Sequence, residues 1–379
     1  MAALPLAALN FPRAAAALPE SASPPPVLSS TDLGTIQQNP HVLFRDGLFS
    51  GEFGGASIWT FGDTALDAPN SSGSDWDDNS LAYTTDLDGS QGLSLPHDQP
   101  VSPSGAPDQY LPFTPQEKAF NAAHAGTGTS CRVKPCGEEI ALWNGPVVPD
   151  PARNRVLFFY YELERISGQS TWHGIGVGIA TWTPGHPVVR PIESGTGRFP
   201  TLMWSADEPD FADGATVVGS TLYAYGCTAG FLVQNCDLGR ASLAHATTPS
   251  AWTYYDGSGW SADLSKAVTV LQGGAAGTSV SWVPYLGEYM AVYMPPLTNE
   301  IVDRVAPEPW GPWSAPSNVT ATETPYQGTV DYAGMAHPEF AQDDGQIQYV
   351  AYYQPTGPFS GDDRWVQIVY GQPSARVRS

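Results

Sequence analysis

Arg155-Val-Leu-Phe-Phe-Tyr-Tyr161 is followed, one loop later, by Gly176-Val-Gly-Ile-Ala-Thr-Trp182 and a Thr-Pro exit. Aromatic, β-branched or alternating runs bounded by turn residues read as paired β-strands. The pair returns three times toward the C-terminus. Leu222-Tyr-Ala-Tyr-Gly226 precedes Arg240-Ala-Ser-Leu-Ala-His245 and Pro249-Ser-Ala-Trp252; Glu288-Tyr-Met-Ala-Val-Tyr293 precedes Ile301-Val-Asp-Arg-Val-Ala306 and Pro309-Trp310; Gln348-Tyr-Val-Ala-Tyr-Tyr353 precedes Trp365-Val-Gln-Ile-Val-Tyr370. An earlier unit, Val42 to Asp86, makes five. The starts lie about 55 to 65 residues apart, long enough for four strands each, which is the period of stacked β modules. One such sheet cannot bury both faces, so packing against its neighbours supplies the core, with Trp and Tyr filling the space between. The expectation is an all-β fold, a five-bladed β-propeller forming a single domain over residues 39–372. Residues 1–38 then read as an export-signal-like, Pro/Ser-rich leader and 373–379 as a tail. The alternative is two β-sandwiches joined near residue 200, where no Pro/Ser linker stands.

Composition agrees with a turn-rich β protein. Of 379 residues, 39 are Gly and 36 Pro, aromatics make up 11%, and charged residues only 14%, against a usual figure of about 25%. That excludes a coiled coil or helical bundle, and the aromatic content excludes a disordered chain. Net charge is −22 and no run of Lys or Arg occurs, so a nucleic-acid backbone would be repelled, whereas a neutral polymer would not. The acidic pieces, such as Ser74 to Asp78 and Asp207 to Asp210, also read as solubilising surface. No uninterrupted apolar stretch reaches the roughly 18 to 20 residues needed to span a bilayer. The first 25 residues hold Ala-rich apolar blocks and an Ala-x-Ala pattern, interrupted by Arg13 and two prolines and without a basic start, an atypical export signal. A secreted monomer is expected. One helix is expected at Thr114 to Ala123, with Thr114 as cap and Pro115 at the first position.

Four cysteines fall as two local pairs, Cys131 with Cys136 and Cys227 with Cys236. An even count at short spacing suits two disulfides in an exported protein. The spacings fit no zinc ribbon or finger, so no metal is expected there. A structural calcium ion on the propeller axis has no sequence motif to support it, and no obligatory cofactor is expected. Nor is there a phosphate loop or a Gly-x-Ser-x-Gly elbow.

Chemistry concentrates in the first unit, Leu43-Phe-Arg45-Asp46-Gly47 through Gly54-Gly55 to Trp59-Thr-Phe61-Gly62-Asp63-Thr64. Two β runs joined by a Gly-rich turn return Asp46 and Asp63 to the same end of a hairpin. With the turn near Phe53, Asp63 overshoots the partner of Asp46 by about three residues, roughly 10 Å at about 3.3 Å per residue. That touches the upper part of the ~6.5 to 9.5 Å range for two carboxyl groups with a water between them. An odd offset puts them on opposite faces, so either a bulge, for which Gly62 is suited, or a break in pairing beyond Phe61 is required. The structural alternative is a local Arg45–Asp46 ion pair, with Asp63 and Thr64 closing a turn.

The block Arg-Asp-Gly, then Gly54 to Thr64, then Asn79-Ser-Leu-Ala82 resembles a bacterial family of five-bladed propellers, once described as a domain of unknown function, that includes endo-D-arabinanases. Cys136-Gly-Glu-Glu-Ile-Ala-Leu-Trp143-Asn-Gly-Pro-Val-Val and Ala336-His-Pro-Glu-Phe340 extend the resemblance, which covers about residues 40 to 372 and is weakest in the later blades. It implies cleavage of the D-arabinan of mycobacterial cell walls, with Asp46 and Asp63 as catalytic carboxylates. The insertion Ser90 to Cys136 is this chain's own.

An α-linked furanoside would be cut through an oxocarbenium-like state, one carboxylate activating water and the other, kept protonated by desolvation, donating to the leaving oxygen. Inversion is expected, with Asp46 as base, Asp63 as acid, and Arg45 favouring the ionised form of Asp46; the reverse assignment stays open. Arg45, Asn79, Trp143, His337 and Glu339 are candidate substrate-binding residues, His337 and Glu339 by their shared face at a spacing of two. Trp76 and Trp204 are further stacking candidates, though blade packing is the default use of tryptophan here. Glu138, Glu139, Glu162, Asp207, Glu208 and Asp210 are reserve carboxylates. A carbohydrate-binding or adhesive propeller without turnover, and a retaining exo-acting furanosidase, are the competing readings.

Overall fold

The computed structural model describes residues 23–373 apart from 167–168, 170, 192–199, 229–233, 276, 324 and 359. The proposed export signal, as far as residue 22, and residues 374–379 of the tail lie outside the described residues.

Among the described residues, five antiparallel sheets of four or more strands follow one another along the chain. The first is built from Phe49–Phe53, Ala56–Phe61, Ser80–Thr84 and His97–Asp98, and the second from Glu138–Asp150, Arg155–Ile166, Trp172–Trp182 and Leu202–Ser205. The third runs through Asp210–Val218, Thr221–Cys227, Gln234–Ser242, Thr253–Tyr255 and Trp260–Ser261, with Leu271–Gly274 also pairing to Gln234–Ser242. Ser279–Val283, Glu288–Tyr293, Glu300–Ala306 and Ser317–Ala321 form the fourth. The fifth joins Tyr332–Ala336, Ile347–Gly357 and Ser360–Tyr370 to a strand from the other end of the chain, Val27–Thr35.

That last strand corrects the leader boundary. Val27 pairs with Tyr370 and Asp32 with Val366, so the segment closes the fifth sheet. It reads as linker because it is an outer strand exposed over most of its length, and its run Ser29-Ser-Thr-Asp32 has no buried face to impose alternation.

Each sheet packs on its neighbours through one apolar cluster. Phe49, Ile58 and Leu81 of the first meet Leu142, Val156 and Phe158 of the second. Leu157, Phe159 and Val177 meet Phe211, Leu222 and Trp252 of the third. Tyr225 and Leu238 meet Val280 and Tyr293 of the fourth, and Met290 and Val305 meet Val350 and Ile368 of the fifth. Tyr349 and Trp365 of the fifth then meet Trp59 and Phe61 of the first. The middle strands are therefore covered on both faces, which is why they carry unbroken aromatic and aliphatic runs.

The insertion between the first two sheets carries the α-helix Pro115–His124, capped by Thr114 and Glu117 in a reciprocal box. Glu117 also binds Arg190 at 2.6 Å, and Arg190 binds Glu162 at 2.7 Å. Disulfides join Cys131 to Cys136 and Cys227 to Cys236, the latter as a cross-strand pair in the third sheet. Among the described residues no helix is long and apolar enough to cross a membrane.

Candidate active site

The first hairpin turns at Gly54-Gly55, both at positive φ (65° and 81°), and not at Phe53. Phe49 pairs with Thr60 on the near side of the aspartates, and Arg45 pairs with Thr64 on the far side, in the small sheet of Val42–Arg45, Thr64–Leu66 and Trp76–Asp77. Asp46 and Asp63 belong to neither ladder: they lie on facing segments in the break between the two. Starting the return at Gly55, rather than near Phe53, shortens the overshoot expected from the sequence. Gly62 N donates to Asp46 O at 2.8 Å across the break between the two ladders. A Cβ at Gly62 would come within 2.8 Å of Asp46 Oδ1 and 3.3 Å of Asn144 Oδ1, so only glycine lets the Asp46 carboxyl lie across that strand.

Both carboxylates line a cavity of about 530 Å³ whose walls come from all five sheets and their connections. Trp143 and Tyr161 come from the second sheet, Asp213 from the third, Met294 from the connection just after strand Glu288–Tyr293 of the fourth, and Tyr332 from the fifth. Asp63 is held by Arg165, whose Nη1 donates to both carboxylate oxygens at 2.8 Å, and by the indole N–H of Trp143 at 3.2 Å. Arg165 also binds Asp78 through Nη2 and Glu139 through Nε, the latter at 2.9 Å. Asp46 Oδ2 accepts a hydrogen bond from the Tyr332 hydroxyl at 2.7 Å. Burial, then the nearby charge of Asp63, pushes Asp46 up to about 7, against the opposing pull of Tyr332 and Arg165. Across the cavity, Asp213 accepts from the Tyr161 hydroxyl and from Cys227 N at 2.8 Å, and burial holds it well above the usual carboxylate range.

Tyr332 reaches Asp46 because its strand is bulged. Tyr332 pairs with Tyr353 and Met335 with Ala351, with a register shift between, and Ala333 takes φ +56°. Phenylalanine at position 332 removes a donor that favours the charged form of Asp46. The Asp46 proton is then held to higher pH, and the alkaline limb of a pH–rate profile is expected to move upward. An unmoved limb would show that Tyr332 does not govern this proton.

Four expected site residues lie elsewhere. Arg45 points to the other face of its strand: its side chain is fully buried, pairs with Asp98 at 2.6 Å and lies 3.8 Å over the Phe61 ring. It neither pairs with Asp46 nor lines the cavity. Arg45→Ala leaves Asp98 buried without its cation, so a stability loss of about 3 to 5 kcal/mol is expected in denaturant melts; a change below about 1 kcal/mol would contradict the structural role. Asn79 is spent on backbone, donating to Leu142 O at 2.9 Å and accepting from Tyr110 N and Leu111 N at 3.0 Å. His337 is fully buried, stacked 4.1 Å from Trp59 and bonded to Ser50 Oγ at 2.6 Å, and desolvation holds it down to about 3. Glu339 accepts from Ser57 Oγ at 2.6 Å. His337 and Glu339 do not share a strand face, because the chain enters a 3-10 turn at Pro338–Phe340.

Trp143 does line the cavity, while Trp204 is buried in the core. Arg165, Tyr161, Asp213 and Tyr332 are absent from the sequence reading. Asp213, the one charge in Phe211-Ala-Asp-Gly-Ala, carried a signal, since a lone carboxylate inside an apolar strand needs a partner or a task. Among the described residues no group of three or more His, Cys, Asp or Glu is arranged to hold a metal ion.

A family model described as a domain of unknown function, DUF4185, matches residues 179–354. That span runs from the second sheet to the fifth and leaves Asp46 and Asp63 outside. No curated protein matches the chain. Among solved structures, a candidate hydrolase from Bacteroides ovatus is similar with a TM-score of 0.57 at 11% identity, covering 88% of this chain and 86% of that one. An α-L-arabinofuranosidase from Podospora anserina in complex with cellotriose gives 0.45 at 12% identity, covering 94% and 99%. A GH43_1 enzyme from Xanthomonas citri complexed with xylose gives 0.47 at 12% identity, covering 93% and 96%. The first of these likenesses is one of fold.

Proposed function

We propose that the five sheets are the blades of a single-domain, five-bladed β-propeller, and that the protein is a secreted glycoside hydrolase acting on an arabinan-type polysaccharide. The ring of clusters, returning from the fifth sheet to the first, supports the architecture. The two disulfides agree with an oxidising compartment. What carries the enzymatic reading is that Asp46 and Asp63 line one cavity, with Asp46 raised to about 7 and Asp63 in a salt bridge. A carboxyl group raised by burial beside a second one paired to an arginine is equipment for glycosidic cleavage.

The roles follow from the partners. Asp46 is the acid: its proton passes to the leaving oxygen as the glycosidic bond breaks. Asp63, salt-bridged to Arg165, is the carboxylate. This reverses the order expected from sequence, because the Arg45 that was to ionise Asp46 pairs with Asp98 instead. In the inverting route Asp63 takes a proton from the water that adds to the anomeric carbon. In the alternative route the second carboxylate attacks directly and configuration is retained, as in enzymes whose carboxyl groups stand ~5 to 5.5 Å apart. The anomer of the first product, read by NMR, separates the two.

The family resemblance of the Asp46 and Asp63 blocks makes mycobacterial arabinogalactan or lipoarabinomannan the substrate of choice, cut internally. The test is incubation with mycobacterial arabinogalactan and with plant L-arabinan, products being sized. Oligosaccharides from the former alone are expected. Inertness toward both would leave a carbohydrate-binding propeller, and release of single sugars an exo-acting furanosidase.

A further inference from the structure

We infer that Trp172, together with Trp143, forms an outer binding site for one sugar unit of a neutral glycan, beyond the carboxylate pair, so that the protein grips chain interiors and not chain ends alone. This deepens the hydrolase reading and rests on it.

Trp172 is 55% exposed, whereas Trp59, Trp204, Trp252 and Trp365 are buried between sheets. Its ring sits edge-to-face with Trp143, centroids 5.3 Å apart at 72°. Trp143 in turn lines the cavity and donates to Asp63. Trp172 is also the register partner of Arg165, the residue that grips Asp63. One ring contact and one backbone pairing therefore place Trp172 beside the residues that hold Asp63, outside the cavity that Trp143 lines. Edge-to-face packing fixes the ring while its exposure leaves a face uncovered. A rigid, uncovered indole beside a cleft offers much contact area at little entropic cost.

The rim chooses its occupant by charge. Asp63, Asp78 and Glu139 share a single guanidinium, leaving a negative surplus that disfavours anionic polymers. A sugar ring has what remains: a C–H face for the indole and hydroxyls for the carboxylates.

The test uses the full chain carrying Asp46→Asn, to hold ligand without turnover, titrated calorimetrically with linear D-arabino-oligosaccharides of two, four and six units. Affinity is expected to rise with length. Adding Trp172→Ala is expected to weaken the six-unit ligand about tenfold, in the manner of a truncated aromatic anchor, and to leave the two-unit ligand unaffected. Trp172→Phe is expected to restore most of the loss. Equal six-unit affinity with and without Trp172, at an unchanged melting temperature and with the native protein still cleaving arabinan, overturns the outer site alone. No binding at any length, with no cleavage by the native protein, overturns the hydrolase reading and the site with it.

Discussion

Asparagine at position 46 is expected to slow arabinan cleavage by about a thousandfold or more while ligand binding persists. The amide keeps the shape of the acid and can still accept from Tyr332, but it has no proton to give the leaving oxygen. Asp63→Asn is expected to fall as far, since it removes the charge that completes the pair, and the double variant should be little worse than either alone because the two act as a unit. In the native protein, Asp46 works protonated and sits at about 7, so activity is lost as pH rises through that value. Stability should fall in the same direction, over a lower pH window. A carboxyl raised from 3.8 to about 7 on folding disfavours the folded state progressively as pH rises from about 4 toward 7. Asp46→Asn should therefore melt higher than the native protein at pH 8 and not at pH 4. Reducing-end release and thermal melts at both pH values check this; cleavage within tenfold of native would remove Asp46 from the mechanism.

Arg165→Met carries the second large effect. One guanidinium binds three carboxyl groups, and its side chain is 10% exposed. Methionine keeps much of the volume and leaves Asp63, Asp78 and Glu139 facing one another without a cation. A stability loss of about 3 kcal/mol at neutral pH is expected, of the kind seen when one partner of a buried ion pair is removed. It should shrink as pH falls, because burial already raises Asp78 to about 8 and its protonation relieves part of the repulsion. Turnover should drop about a hundredfold, since Asp63 loses the bidentate hold that sets its position against Asp46. Denaturant melts at pH 5 and pH 8, with kinetics at both, separate the two effects. A variant as stable and active as the native chain would mean that Trp143 alone suffices to position Asp63.

The sequence was legible wherever neighbouring residues share one environment. Leu157 to Tyr160, Tyr289 to Tyr293 and Tyr349 to Tyr353 are buried on both faces, so burial is written into consecutive letters. The strands Asp210–Val218 and Tyr332–Ala336 of the third and fifth sheets, which line the cavity with Asp213, Tyr332, Ala333 and Met335, carry no such run. The Thr114 cap, the two cystines and the Gly54-Gly55 turn are local as well, and each is present.

The sequence placed Asp46 and Asp63 at one end of a Gly-rich hairpin, and the family resemblance of the same block made them the candidate carboxylates. Which way a side chain points was left to tertiary contacts. Arg45 and Asp46 are adjacent letters, yet one is sealed against Asp98 and the other opens on the cavity, since successive residues of a strand face opposite ways. Arg165 lies 102 positions from Asp63, and Tyr332 lies 286 from Asp46. Partners so far apart meet only when sheets pack, and the free energy of that packing, spread over five clusters, is a property of the whole ring rather than of any segment.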